Sequence, residues 1–258
     1  MALFDLTGRT ALVTGGNGGI GLGMAEGLAQ AGADVEIWGT NAEKNARAKE
    51  RLSANGTRIN TRIVDVSKEE NVVAGMQALL ADMGRLDACF ANSGVSNRWK
   101  SFLDLGGEDY RRLMSINLDG VIWTVREACR HMKARAEAGD PGGSIAVVSS
   151  MVSDQGAPRN EDYAASKAAV LGVVRGVAVE FARYGVRTNA IEPGWVATDM
   201  TGAAQSNPKF TEAVISRVPQ RRWGKMEEFA GIAVYLASDA SSFHNGDTIR
   251  IDGGYSIF

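Results

Sequence analysis

The chain predicts a doubly wound α/β fold: one domain over residues 1–258, with a mostly parallel sheet of about seven strands and helices on both faces. Three observations carry this. Short apolar runs alternate with longer helical stretches, the pattern of βαβ units with right-handed crossovers. A glycine-dense loop directly follows the first apolar run. A chain of 258 residues, 45% hydrophobic and 22% charged, suits a single buried core.

The elements follow in order. Thr10–Val13 is the first strand, and Ile20–Ala31 the helix after the glycine loop. Val35–Trp38 is strand-like and leads to the charged helical stretch Ala42–Ala54. Ile59–Val64 precedes the helix Lys68–Met83. Leu86–Ala91 and Ile145–Ser149 read as strands, Asn189–Ile191 ends a sixth, and Thr248–Ile251 is the last. Gly139–Gly143 is a loop between a helix and a strand, too short to divide domains. The economical reading is one Rossmann-type domain.

Composition narrows the function. Lys plus Arg number 28 against 30 Asp plus Glu, a formal net charge of −2. That balance argues against bulk binding to nucleic acid or anionic membrane. Two cysteines, Cys89 and Cys129, make no disulfide framework, and two histidines without CxxC or HExxH give no metal-site pattern. The first residues lack a basic segment followed by an apolar one, so no signal peptide is expected, and no apolar run has membrane-spanning length. A cytoplasmic protein needing no metal is the expectation. Glycine is in excess, 31 residues against a usual share of roughly 7%.

Six of those glycines fall between Gly15 and Gly23. A loop that leaves a strand and opens a helix turns backbone N–H groups and a helix N-terminus toward a pyrophosphate. A dinucleotide fingerprint would then place an acid at the end of the second strand, to hold ribose hydroxyls. Here that place reads Gly39-Thr40-Asn41, with Glu36 too early in the strand. Without the acid, one repulsion against a 2′-phosphate is removed. Thr40, Asn41 and Lys44 offer it hydrogen bonds, so the expected cofactor is NADP or NAD, leaning to NADP.

Residues 163–167 read Tyr-Ala-Ala-Ser-Lys, and on a helix Tyr163 and Lys167 share a face. With these residues the chain resembles the short-chain dehydrogenase/reductase family, in its short single-domain branch, over essentially the whole length. The family's TGxxxGxG loop matches Thr14, Gly15, Gly19 and Gly21, with Asn17, Gly18 and Ile20 between them. Asp65-Val66 matches the adenine-side pair. Ala91-Asn92-Ser93-Gly94 departs from the family's Asn-Asn-Ala-Gly but keeps Asn92 and Gly94. Asn117, Ser150, Pro193-Gly194 with Val196 and Thr198, and Ile251-Asp252-Gly253-Gly254 complete the pattern.

The resemblance implies a hydride transfer between a nicotinamide cofactor and a secondary alcohol or its ketone. Tyr163 is then the acid/base, Ser150 orients the substrate oxygen, and Lys167 holds the nicotinamide ribose. Asn117 interrupts its helix and places a water toward Lys167. Tyrosine has an ordinary pKa of about 10, and a nearby ammonium favours its phenolate. A dinucleotide-binding sensor or scaffold without chemistry is the alternative; it has no need of Ser150 and Asn117 together.

Substrate is expected beyond the carboxyl ends of the strands. Three segments reach there: 94–101, 151–160 and 195–218. They carry Trp99, Gln155, Trp195 and Met200 as candidate substrate residues, and Arg98 and Lys100 as candidate anion contacts. A 3-oxoacyl thioester, a polyol or sugar, and a cyclic or steroid-like ketone all remain open. The helix carrying Tyr163 is apolar on more than one face as far as Val179, so a second subunit is expected to cover it. A homotetramer is expected, a dimer next.

Overall fold

The structure is a computed structural model that describes residues 3–258. Seven strands form one sheet in the order β3-β2-β1-β4-β5-β6-β7, and every adjacent pair is parallel. They are β1 (Thr10–Thr14), β2 (Asp34–Gly39), β3 (Ile59–Ile63), β4 (Ala88–Ala91), β5 (Gly143–Val148), β6 (Val186–Pro193) and β7 (Thr248–Ile251). The expected strands are all present, with ends within two residues of those expected.

The helices are α1 (Gly19–Gln30), α2 (Ala42–Ser53), α3 (Glu69–Met83), α4 (Gly107–Met114), α5 (Gly120–Glu137), α6 (Val152–Gln155), α7 (Glu161–Phe181), α8 (Gly202–Gln205), α9 (Pro208–Ile215) and α10 (Ala230–Ala237). One cluster of buried residues packs α1 and α10 against the sheet, and another packs α3, α5 and α7 against its other face. β1 is buried along its whole length, as a strand covered on both faces must be. Crossovers diverge between β1 and β4, so the crevice of a doubly wound sheet opens there.

Several glycines are explained by packing alone. A Cβ on Gly23 would lie 2.0 Å from the carbonyl oxygen of Met226, and one on Gly27 would strike Ala230. These two positions let α1 lie against the segment leading into α10. Gly194, expected at the cofactor, is also held by packing: its Cβ would come 2.5 Å from the Asp252 side chain.

Glu36 explains the missing acid at the end of β2. It is fully buried, accepts from Trp38 Nε1 at 2.7 Å, and pairs with Arg62 at 2.9 Å. The carboxylate therefore belongs to the sheet's interior and not to its edge. Glu192 on β6 is equally buried. It accepts from Arg250 of β7 at 2.9 Å and from the Ser153 hydroxyl of α6; Arg250 also reaches Asp154.

The Gly23 contact has a measurable consequence. Gly23→Ala is expected to destabilise the fold by about 1–3 kcal/mol, as overpacking does. For a chain of this size that lowers Tm by several degrees, read by thermal denaturation.

Candidate active site

The glycine loop fits a dinucleotide pyrophosphate by its own geometry. Gly15 and Gly19 have φ of +64° and +52°, which favour glycine. A Cβ on Gly21 would lie 2.3 Å from the Gly15 carbonyl oxygen, whereas one on Gly18 would meet nothing within 4 Å. Gly18 is the N-cap of α1 and brings no side-chain bond, and no acid stands in the first turn. The N–H groups of that turn are thus left for an anion, with the helix dipole favouring negative charge. Ile20 packs against the core under this turn.

Beside the loop, Asn92 follows β4. Its amide donates to the carbonyls of Thr14 and Gly15 at 3.0 and 3.2 Å, and the backbone N–H groups of Asn92 and Ser93 both donate to the Thr14 hydroxyl. Asn17 donates to Asn45 Oδ1 at 2.7 Å. Thr198 lies against the loop, its methyl 3.1 Å from where a Gly19 Cβ would be. Asp65 accepts from the backbone and hydroxyl of Ser67 through Oδ1, and Val66 packs under Gly120. Asn41 caps α2 by accepting from Lys44 N, so its carbonyl oxygen is already engaged; Thr40 beside it is exposed. Pro193 ends β6 and Val196 is buried just after it.

The four expected catalytic side chains come together from three places in the chain. Ser150 stands just past β5, Tyr163 and Lys167 one turn apart on α7, and Asn117 between α4 and α5. Asn117 sits in a π turn, Ser115–Asp119, which breaks the helix as expected. Its fully buried amide clamps the backbone of Val95, accepting from the N–H at 2.8 Å and donating to the carbonyl at 2.9 Å. It also donates to Ser166, whose hydroxyl binds the Tyr163 carbonyl. The Lys167 ammonium donates to the Val148 carbonyl at 2.8 Å and lies 5.7 Å from the Tyr163 ring centre. A Cβ on Gly94 would touch both Lys167 Nζ and Asn117 Oδ1 at 3.4–3.5 Å.

Burial sets the protonation states here. It pushes the Tyr163 hydroxyl above the ordinary phenol range, while a hydrogen bond with Ser150 pulls it down. Burial also lowers Lys167 to about 8. Near neutrality this is a phenol beside an ammonium. That arrangement can hand a proton to a carbonyl oxygen.

The substrate segments are placed unequally. Trp99 N–H donates to the Arg159 carbonyl, binding segment 94–101 to 151–160, and its indole nitrogen is buried without a partner. Trp195 is likewise unpartnered at Nε1 and packs edge-on against Phe210, Trp223 and Tyr255. Gln155 and Met200 are exposed. Sequence reasoning missed Asp162, which is buried beside Tyr163 and accepts from Asn97 at 3.0 Å. An acid in a first helical turn reads as a capping group, so nothing set it apart.

Lys167 gives a pH test. Its folded value lies below the ordinary 10.5, so between pH 8 and 10.5 the unfolded chain binds more protons and stability rises with pH. Wild type minus Lys167→Met should show a gain on the order of 3 kcal/mol across that range in chemical denaturation.

Similar proteins are found along almost the whole chain. The family described as Enoyl-(Acyl carrier protein) reductase matches residues 15–256. A gluconate 5-dehydrogenase of Gluconobacter oxydans (strain 621H) is 37% identical over 255 residues, 99% of this chain and 97% of that protein. A 3-oxoacyl-[acyl-carrier-protein] reductase of Chlamydia muridarum is 36% identical over 250 residues, 96% of this chain and 98% of that protein. The crystal structure of a gluconate 5-dehydrogenase from Burkholderia cenocepacia J2315, in complex with NADP and tartrate, superposes with TM-score 0.92 at 36% identity. It covers 98% of this chain and 97% of its own. The chain therefore belongs to the short-chain dehydrogenase/reductase family, as an oxidoreductase that moves a hydride between a nicotinamide cofactor and a secondary alcohol or its ketone.

Proposed function

We propose that the enzyme interconverts a polyhydroxy carboxylate and its keto acid, a sugar acid of the gluconate kind, with NADP. What carries the substrate class is a set of unanswered groups on the substrate segments. Arg98 stacks over Phe210 at 5.3 Å and has no carboxylate partner among the described residues. The buried indole N–H groups of Trp99 and Trp195 have no acceptor among the described residues. A carboxylate with a row of hydroxyls offers both an anion and acceptors; a hydrocarbon ketone offers no anion and no acceptor beyond the reacting oxygen. Relatives named for gluconate, and a neighbour holding tartrate, support the same class.

In reduction Tyr163 gives its proton to the substrate oxygen, and in oxidation it takes one back. Ser150, whose hydroxyl pulls the Tyr163 value down, would hold the same oxygen. Lys167, an ammonium below about pH 8, supplies positive charge beside the phenol and would hold the nicotinamide ribose of a bound cofactor. Asn117 positions segment 94–101 through Val95. The cofactor, when bound, supplies or accepts the hydride. The glycine loop, Asp65-Val66, Asn92, Gly94 and the Pro193–Thr198 segment are the residues that would hold it.

A panel of alcohols and ketones, followed by nicotinamide absorbance with both cofactors, tests this. Gluconate-type acids with NADP(H) should exceed acyl thioesters and cyclic ketones. Tyr163→Phe should cost about 10²–10⁴-fold in turnover and leave NADPH binding intact. Turnover of thioesters but not sugar acids would overturn the substrate class.

The assembly is proposed as a homotetramer, with a dimer next. On α7, Ala165, Ala168, Ala169, Gly172, Gly176 and Val179 are exposed, Val179 at 83%. A Cβ on Gly172 or Gly176 would meet nothing within 4 Å, so nothing within the chain requires glycine there. Each costs roughly 1 kcal/mol of helix stability relative to alanine, which close approach of a second subunit's helix would offset. Gly172→Leu with Gly176→Leu should leave the helical CD spectrum intact and lower the mass in light scattering; an unchanged mass would remove this face from the interface. No helix of the described residues is long and apolar enough to cross a membrane. With both cysteines free and buried, we assign the cytoplasm, where thiols stay reduced.

A further inference from the structure

We propose that Lys44 and Arg47 select the 2′-phosphate of NADP, and that Asp199 holds Lys44 until that phosphate displaces it. The inference rests on the NADP reading above and assigns it to particular residues. Lys44 lies in the first turn of α2, one turn beyond the end of β2 where a ribose-binding acid would stand. Its ammonium is 2.6 Å from Asp199 Oδ2, a residue 155 positions away that opens the short helical turn after Thr198. The pair borders a cavity of about 280 Å³ lined also by Asn17, Arg47 and Arg51.

The three cations are not equally free. Arg51 is held by both oxygens of Glu26, at 2.6 and 3.2 Å. Arg47 has only Glu43, at 3.5 Å, with both side chains about four-fifths exposed. Such a pair is screened by water and contributes little. Lys44 and Asp199 are also open to solvent, at 48% and 86%. A phosphate monoester carries a charge of roughly −1.5 to −2 and three acceptor oxygens, against one charge on Asp199. It can take Lys44 from Asp199 and engage the Arg47 fork together. The ribose hydroxyl of NAD has no charge with which to do so.

The exchange has a second effect. Thr198 rests against Gly19, and Asp199 is the next residue. Freeing Asp199 removes an ion pair between the turn at 199–201 and α2. NADP, and not NAD, then changes how that turn is anchored.

Dissociation constants for NADPH and NADH, by fluorescence on the full chain, test the assignment. Lys44→Met with Arg47→Met should weaken NADPH about 10- to 100-fold and move NADH less than about twofold. Asp199→Asn should tighten NADPH and leave NADH unchanged. Hydrogen exchange over 199–206 should rise with NADPH more than with NADH, and the Asp199→Asn protein should show the raised exchange without either. A wild type preferring NADPH whose preference survives the double substitution would overturn the proposal while the NADP reading stands. A wild type binding NADH as tightly as NADPH would overturn both. Weaker NADPH binding by Asp199→Asn would show that Asp199 serves the cofactor instead of competing with it.

Discussion

Four hydrogen bonds between Thr14–Gly15 and Asn92–Ser93 hold the place where the sheet reverses its winding. The Thr14 hydroxyl accepts from two successive backbone N–H groups, and the Asn92 amide answers by donating to two successive carbonyls. This clasp joins the ends of β1 and β4, the two strands from which the crossovers part. The glycine loop leaves from one side of it. Gly94, and through it the neighbourhood of Lys167 and Asn117, leaves from the other. The glycine loop and the Tyr163–Lys167 neighbourhood are thus set relative to one another by short polar contacts as well as by the hydrophobic layers beneath them.

Around that clasp the site is built from burial more than from charge pairing. Tyr163 and Lys167 are both shifted toward their neutral forms. The Lys167 ammonium is held by a backbone carbonyl and not by a carboxylate. Segment 94–101 is held by side-chain hydrogen bonds: Asn117 to Val95, Asn97 to Asp162, Asn160 to Ser96. Such bonds are individually modest, and several converging on one loop set a geometry that none could hold alone.

Much of this was legible in the residues. The seven strands could be read because parallel strands covered on both faces are short, continuous apolar runs, and the helices between them are long enough to tell apart. The glycine loop could be read because backbone geometry admits little else at Gly15, Gly19 and Gly21. The helix break at Asn117 was expected, yet its partner was not: a clamp on Val95 depends on two segments meeting in space. Gly194 is also required by its packing against Asp252, which the sequence pattern does not show. Glu36 could be placed in the strand but not on a face, since only the twist of β2 against β3 decides that it meets Arg62. Asp162 and Asp199 carried no local signal, because an acid at the start of a helix is ordinary.

The buried Glu192 gives the molecule an unusual line of communication. It lies on β6, yet through Arg250 and Ser153 it fastens the short helix after Ser150 to β7, the strand at the sheet's edge. An edge strand is where a sheet most readily meets another molecule. Arg250 and Glu192 thus link β7 to the short helix that follows Ser150. A substitution at either residue acts on the sheet's edge and on that helix together.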